Sequence, residues 1–126
     1  MLFRSRHAVV QHVAVDPWAS TYFIETLLLD GVPVVTHKQS LEMMAAASQD
    51  WQNLWVARRF RHGGDPVLRM CSANAGIWTD SNGNFRPVKD RSRGLIDGLV
   101  AAMMGVHAWS LSRGTAPSMY EQGVGV

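Results

Sequence analysis

The feature that most constrains the fold is an apolar run near the amino terminus, followed by a helical segment and a second apolar run. Residues 7–15 (HAVVQHVAV) are nearly continuous in Ala and Val, which is typical of a strand covered on both faces. The segment 18–30 has apolar side chains at helical spacing, and residues 32–37 (VPVVTH) form a second short strand. Because parallel neighbours need a crossover connection, residues 7–37 predict a βαβ unit and therefore an α/β fold.

Asp16 stands between the first strand and the first helix, and two interpretations of it remain open. Pro17 suits the first turn of a helix, so Asp16 is well placed to cap that helix. Asp16 also ends a central strand, and functional sites in open α/β sheets form at the carboxyl ends of strands. The sequence therefore predicts either a capping role or a site role for this carboxylate.

A longer helix follows Ser40, which we expect to cap it. Residues 61–66 (RHGGDP) read as a loop because of their Gly and Pro content, and residues 67–89 read as extended. Within that stretch, Asn82-Gly83 predicts a β-hairpin near residues 77–88. The predicted core stripe of the longer helix consists of Leu41, Met44, Ser48, Trp51 and Trp55.

The remaining residues indicate one domain with a short tail. The last helix is predicted over residues 94–111. We expect a domain over residues 1–112 and a flexible tail over 113–126, because the end of the chain has no apolar period. A length of 126 residues with 47% hydrophobic composition is enough for one core.

A single cysteine, Cys71, excludes an intrachain disulfide and a cysteine-rich zinc site, and we expect it in the core. This usage fits a reducing compartment. The apolar run 95–106 is shorter than the ~20 residues that span a bilayer. We therefore expect a soluble, cytoplasmic protein without a membrane partner.

The formal net charge of +2 permits a nucleic-acid partner without requiring one. Clustering of basic residues matters more for a phosphate backbone than their total. The alternative for either cluster is a solvated rim around the core. The two clusters are Arg58, Arg59 and Arg61, and then Arg86, Lys89, Arg91 and Arg93.

Asp97 precedes an almost wholly apolar helical run, from which we expect its carboxylate not to be fully solvated. The alternative is a purely structural role, in which the carboxylate interacts favourably with the helix dipole. If Asp16 and Asp97 converge at one sheet edge, they make a hard, oxygen-rich site suited to Mg²⁺ or Mn²⁺. The five histidines are scattered without an HExxH pattern, and the chain has neither a P-loop nor a GxSxG motif.

Several tracts occur together in a specific order: VAVDPWAS, LDGVPVV, RHGGDPVLRMCSANAGIW and DSNGNFRPVKDRSRGLIDGLVAAMM. In this order and spacing, the chain resembles the C-terminal nuclease domain of the terminase large subunit of tailed phages. The resemblance extends over residues 7–109. It rests on H-x-x-x-P-V-L-R with a nearby Asn, on G-N-x-x-P with a following Lys and Ser, and on I-D-G-x-x-A in the closing helix.

This resemblance implies a partial RNase H-like fold, with a mixed sheet flanked by helices. It also implies a metal-dependent endonuclease that cuts concatemeric viral DNA with two Mg²⁺ or Mn²⁺ ions. Asp16 and Asp97 match two catalytic, metal-binding carboxylates of the family, and Lys89 matches a Lys before the closing helix. His62 and Asn74 match recurring positions that we expect to support the site. The implied contacts to double-stranded DNA come from Lys89, Arg91, Arg93, Arg58 and Arg61.

The resemblance further implies partners in the parent protein, namely the ATPase domain, the small terminase subunit and the portal. One departure stands out, because the family carries another Asp on a first strand and residues 1–15 contain no acidic residue. We therefore expect an incomplete two-metal site and weak or absent cleavage by this piece alone. The strand at 7–15 is then expected to have an unpaired edge through which the chain self-associates.

Two other functions remain open. One is a non-catalytic prophage remnant of the same fold that binds DNA or another packaging protein. The other is a small α/β enzyme acting on a small molecule at the strand ends, which only fold logic supports. Metal binding separates the first from the nuclease, and a closed pocket would be needed for the second.

Overall fold

The computed structural model describes residues 10–18 and 20–115. Over this part of the chain, the described helices include none that is long and apolar enough to cross a membrane. Helices are interspersed with short strands along the chain, which confirms the α/β class. The elements are β1 (Val13–Val15), α1 (Thr21–Leu29), β2 (Val34–Thr36), α2 (Leu41–Val56), α3 (Pro66–Asn74), β3 (Gly76–Thr79), β4 (Phe85–Val88), a 3₁₀ turn (Lys89–Arg91) and α4 (Asp97–Thr115).

The predicted βαβ unit is present, and β1 pairs with β2 in parallel. Its first strand is shorter than predicted. Residues 10–12 do not pair with β2, and residues 7–9 lie outside the described part. The physical reason lies in the partner strand. Val13 aligns with Val34, and its amide donates to the carbonyl of Pro33 at 2.8 Å. Pro33 has no N–H to donate in return, so the ladder stops there.

The first helix begins later than the sequence suggested, and Asp16 does not cap it. Oδ1 of Asp16 accepts a hydrogen bond from the backbone N–H of Trp18 at 2.9 Å, forming a tight turn before the helix. Helix α1 starts at Thr21, with Ser20 in the cap position and no side-chain cap bond. Gly31 follows the helix with φ of 76°, as expected for a residue that ends a helix in the left-handed conformation.

Helix α2 begins as predicted, because the Ser40 hydroxyl accepts a hydrogen bond from the N–H of Met43 at 3.3 Å. The centre of the predicted stripe is buried, namely Met44, Ser48 and Trp51. The two ends of the stripe, Leu41 and Trp55, are exposed. The stripe therefore describes the core contact of the middle turns only.

The segment expected to be wholly extended over residues 67–89 begins with helix α3, so that prediction is wrong for its first third. Asp65 and Pro66 explain the error. Oδ1 of Asp65 accepts a hydrogen bond from the N–H of Leu68 at 2.9 Å, and Pro66 occupies the first turn. Cys71 on this helix is buried, as expected of a core residue.

The hairpin is confirmed. Strands β3 and β4 pair antiparallel with Thr79 opposite Phe85, and the turn contains Gly83 with φ of 82°. The carboxylate of Asp80 accepts hydrogen bonds from the backbone amides of Asn82 and Asn84 and from the Asn84 side chain. Among the described residues, the strands thus form two small sheets, one parallel and one antiparallel.

The core lies between α2, α3 and α4. Helix α4 starts at Asp97 and continues to Thr115, beyond the predicted end at 111, and residues 116–126 of the predicted tail lie outside the described part. Two faces of α4 pack into two neighbouring apolar clusters. The first cluster contains Ala47, Trp51, Cys71, Leu99 and Met103. The second contains Met44, Ile96, Val100 and Met104, and Ala14 of β1 packs against it.

Candidate metal centre

Asp16 lies directly after β1, at the carboxyl end of the parallel pair, where the sequence predicted a site. Its side chain is partly buried, and it lines an open groove with Trp18 and Lys38. Because Oδ1 accepts the Trp18 amide, the turn fixes the orientation of the carboxylate. The turn therefore presents a held carboxylate at this edge of the sheet.

Asp97 is the first residue of α4, and it faces solvent more than the apolar run after it suggests. Its side chain is 68% exposed. The apolar residues on either side, Ile96 and Leu99, are buried, and the helical rotation between them turns Asp97 outward. Its Oδ1 lies 3.3 Å from Nζ of Lys89, which is itself 77% exposed. A carboxylate at this position also interacts favourably with the helix dipole.

Residues close in sequence to the two carboxylates meet in one apolar cluster. Ala14, two residues before Asp16, packs against the cluster that contains Ile96, the residue directly before Asp97. Carboxylate oxygens are the ligands that Mg²⁺ and Mn²⁺ prefer. The donor type therefore fits the implied metal. The donor number does not complete a site, because residues 10–18 and 20–115 contain no group of three His, Cys, Asp or Glu residues placed to hold an ion.

The basic residues predicted to contact DNA fall in two separate places. Lys89 and Arg91 are exposed on the 3₁₀ turn, Arg93 is exposed in the segment between that turn and α4, and Lys89 lies beside Asp97. Arg58 and Arg61 are exposed just beyond the C-terminal end of α2. The two groups therefore lie on different elements of the fold.

His62 belongs to the arginine end of α2. Its Nδ1 accepts a hydrogen bond from the N–H of Gly64 at 3.2 Å, and its ring stacks on Phe60 with a centroid distance of 5.8 Å. Trp55 lies at a similar centroid distance of 5.8 Å. These contacts order the loop between α2 and α3. Among the described residues, they do not involve Asp16 or Asp97.

A pair of buried histidines escaped the sequence analysis. Nε2 of His37, directly after β2, lies 2.8 Å from Nδ1 of His107 in α4, and both side chains are buried. Burial lowers the pKa of His37, and the positive charge of a protonated His107 lowers it further. The available signal was that His107 interrupts an apolar helical tract and His37 follows an apolar strand, positions where a buried polar group needs a partner.

The sequence profile of the terminase large subunit, endonuclease domain, matches residues 1–112. The chain belongs to this family. It is 36% identical over 98 residues to the terminase large subunit of Enterobacteria phage HK97, a match that covers 76% of this chain and 19% of that protein. It is also 28% identical over 99 residues to protein YmfN of Escherichia coli, covering 77% of this chain and 22% of that protein.

A solved structure gives the same result for the fold. The crystal structure of the HK97 bacteriophage large terminase superimposes with a TM-score of 0.69 at 35% identity, over 78% of this chain and 21% of that one. The RNase H-like nuclease fold expected from the sequence is thereby confirmed. The chain spans about a fifth of the length of each of these relatives.

Proposed function

We propose that this chain supplies part of the metal-dependent endonuclease of a DNA-packaging terminase large subunit, which cuts concatemeric viral DNA. The observation that supports it most is that Ala14, two residues before Asp16, packs against the apolar cluster that contains Ile96, the residue directly before Asp97. Terminase nuclease domains generally depend on metal ions. Asp16 and Asp97 are the residues that would bind Mg²⁺ or Mn²⁺ here.

The two carboxylates differ in how firmly they are oriented and in how far they are shielded from solvent. Asp16 is held by the Trp18 amide and is partly shielded, whereas Asp97 is exposed and paired with Lys89. A bound divalent ion would supply a water of lowered pKa and stabilise charge on the scissile phosphate. Lys89 can turn from Asp97 to a phosphate oxygen, because both side chains are exposed and the ion pair is weak.

DNA is proposed to approach along the turn that precedes α4. Lys89 lies beside Asp97, and Arg91 and Arg93 add two exposed positive charges between it and α4; such charges bind the phosphate backbone without reading sequence. Arg58 and Arg61 would contact a more distant part of the duplex. In the longer parent protein, the proposed partners are the ATPase domain, the small terminase subunit and the portal.

A second candidate is a non-catalytic remnant of the same fold that binds DNA or a packaging protein. Two observations favour it specifically. Lys89 neutralises Asp97 in the absence of a metal, and the described residues lack a third ligand near the two carboxylates. Both candidates use the same basic turn, so DNA binding alone does not separate them.

Calorimetric titration with Mn²⁺ separates the two candidates. The proposed nuclease role requires binding by the wild-type protein that is lost in Asp97→Asn and retained in Asp90→Asn. Asp90 is the matched control, because it is an exposed acidic residue on the 3₁₀ turn that precedes α4. Flat traces for all three proteins would favour the non-catalytic remnant.

A further inference from the structure

We infer that Asn74 is a positioning residue that fixes the direction of Asp97 through the chain segment leading into α4. This inference rests on the proposed metal-binding role of Asp97. Asn74 is the last residue of α3, and it contacts the entry segment, residues 92–96, at two points. The side-chain Nδ2 donates to the carbonyl of Leu95 at 3.1 Å, and the backbone carbonyl accepts from the N–H of Arg93 at 2.9 Å.

The entry segment fits closely around the Asn74 side chain. A Cβ added at Gly94 would lie 2.8 Å from Nδ2 of Asn74 and 3.2 Å from its Cγ. Such a separation is shorter than van der Waals contact, so the close approach of the backbone at Gly94 requires a glycine. The amide of Asn74 therefore packs closely against the backbone to which it is also hydrogen-bonded, and the two observations agree on one position for the segment.

The segment has few other anchors of its own. Leu95 is 69% exposed, so its side chain gives no packing that would hold it. Upstream, the Ser92 hydroxyl donates to the carbonyl of Val88 and accepts from the N–H of Gly76, which fixes the segment to the hairpin. Between Ser92 and the buried Ile96, the contacts to Asn74 are what hold the backbone.

Asp97 depends on this anchoring because it is exposed. Within the described residues its side chain pairs with Lys89 of the preceding turn, and an ion pair this exposed is weak. The direction of the Asp97 carboxylate is thus set by the backbone that enters α4, and Asn74 bonds the carbonyl two residues before it. Residues that orient a metal ligand from outside the coordination shell typically change metal affinity by about 10- to 100-fold.

A simpler role for Asn74 would be to end α3 and support the fold. That role predicts a loss of stability without a change in the metal affinity of the folded protein. The positioning role predicts that metal affinity falls even where the fold is intact. Asn74→Asp tests the difference well, since it keeps the shape of the side chain and places a carboxylate oxygen against the Leu95 carbonyl in place of a donor.

The experiment measures Mn²⁺ affinity by calorimetry and the folded fraction by circular dichroism for the wild type, Asn74→Asp, Asn74→Ala and Asn82→Asp. Asn82→Asp is the matched control, because it makes the same charge change in the exposed hairpin turn, where Asp-Gly is also a favoured sequence. We expect Asn74→Asp to weaken Mn²⁺ binding by about 10-fold or more, Asn74→Ala by less, and the control by at most about twofold. Unchanged affinity in both folded Asn74 variants would overturn the inference.

Hydrogen exchange gives a readout that does not need the metal. The N–H of Val100 donates to the carbonyl of Ile96 at 3.0 Å and reports on the first turn of α4. We expect faster exchange of the Arg93 and Val100 amides in Asn74→Asp, without faster exchange of the Asp80 amide in the hairpin. If the wild type binds no Mn²⁺, the proposed function fails. The positioning role is tested separately, because unchanged exchange of the Arg93 and Val100 amides in Asn74→Asp would overturn it. Asn74→Ala keeps the hydrogen bond from the Arg93 N–H to the backbone carbonyl at position 74. It takes the place of Asn74→Asp in both measurements if Asn74→Asp does not fold.

Discussion

Nζ of Lys89 lies 3.3 Å from Oδ1 of Asp97, across the turn that joins the β-hairpin to the last helix. The only lysine of this turn is therefore paired with the carboxylate that we propose as a metal ligand. An ammonium and a divalent ion compete for the same oxygen. This relationship makes Lys89 a residue whose removal has opposite effects on metal and on DNA.

Replacing Lys89 with Gln is expected to strengthen Mn²⁺ binding by up to about fivefold, because an exposed ion pair is worth roughly 0–1 kcal/mol. The same change is expected to weaken DNA binding across all sequences and to lower its salt slope by about 1, since one phosphate contact is lost. Calorimetry and fluorescence anisotropy at several salt concentrations measure the two effects. Arg69→Gln, an exposed change on α3, is the control. Weaker Mn²⁺ binding in Lys89→Gln would contradict competition for Asp97.

The buried pair of His37 and His107 predicts a dependence of stability on pH. Burial and then the charge of His107 lower the pKa of His37 below its ordinary value of 6.5 in the folded state. The unfolded chain therefore binds more protons in the window just below 6.5, and the free energy of unfolding falls as the pH falls through it. Above 6.5 the full stability is present. Urea unfolding at several pH values between 7.5 and 5 measures this slope.

The variant His107→Asn is expected to show a shallower slope, because the repulsion from His107 is removed while the burial of His37 remains. It is also expected to lose about 1–3 kcal/mol at pH 7.5, since a buried hydrogen-bond partner is lost. The exposed His12 provides the control His12→Asn, which should keep the wild-type slope. Equal slopes in all three proteins would show that the pair does not govern the pH response.

The start of α3 gives a test of the structure where the sequence prediction failed. Asp65→Ala removes the side chain that accepts the Leu68 amide, so we expect a loss of about 1 kcal/mol of stability, within the usual 0.5–2 kcal/mol for such caps. Asp30→Ala is the comparison, because Asp30 is exposed at the C-terminal end of α1 and provides no such cap. Denaturant unfolding of both variants gives the values. Equal stability of the two variants would argue against a capped helix at Pro66.

Local patterns were sufficient for the parts of the fold that depend on near neighbours. The βαβ unit followed from the two apolar runs and Gly31, and the hairpin followed from Asn82-Gly83. Helix α3 was missed because its stripe is short and lies next to a strand, so the start signal of Asp65 and Pro66 was taken for a loop. The limits of β1 depended on Pro33 in its partner strand, which a single run does not reveal.

The candidate site was only partly predictable for a related reason. The sequence identified Asp16 and Asp97 as candidates, but exposure is set by how a helix rotates over its neighbours. A helix that is apolar nearly all round gave no indication that its first residue would face solvent. The contacts of Asn74 with Arg93 and Leu95, and of His37 with His107, join residues far apart in the chain, and no local period encodes them.

The proposed function depends most on cooperation between Asp16 and Asp97 in binding one divalent ion. A double-mutant cycle tests it directly, with Mn²⁺ affinity measured by calorimetry for the wild type, Asp16→Asn, Asp97→Asn and the double variant. We expect each single change to abolish most of the binding and the double variant to bind no more weakly than either single one. Binding losses that simply add, or wild-type affinity in either single variant, would contradict a shared site.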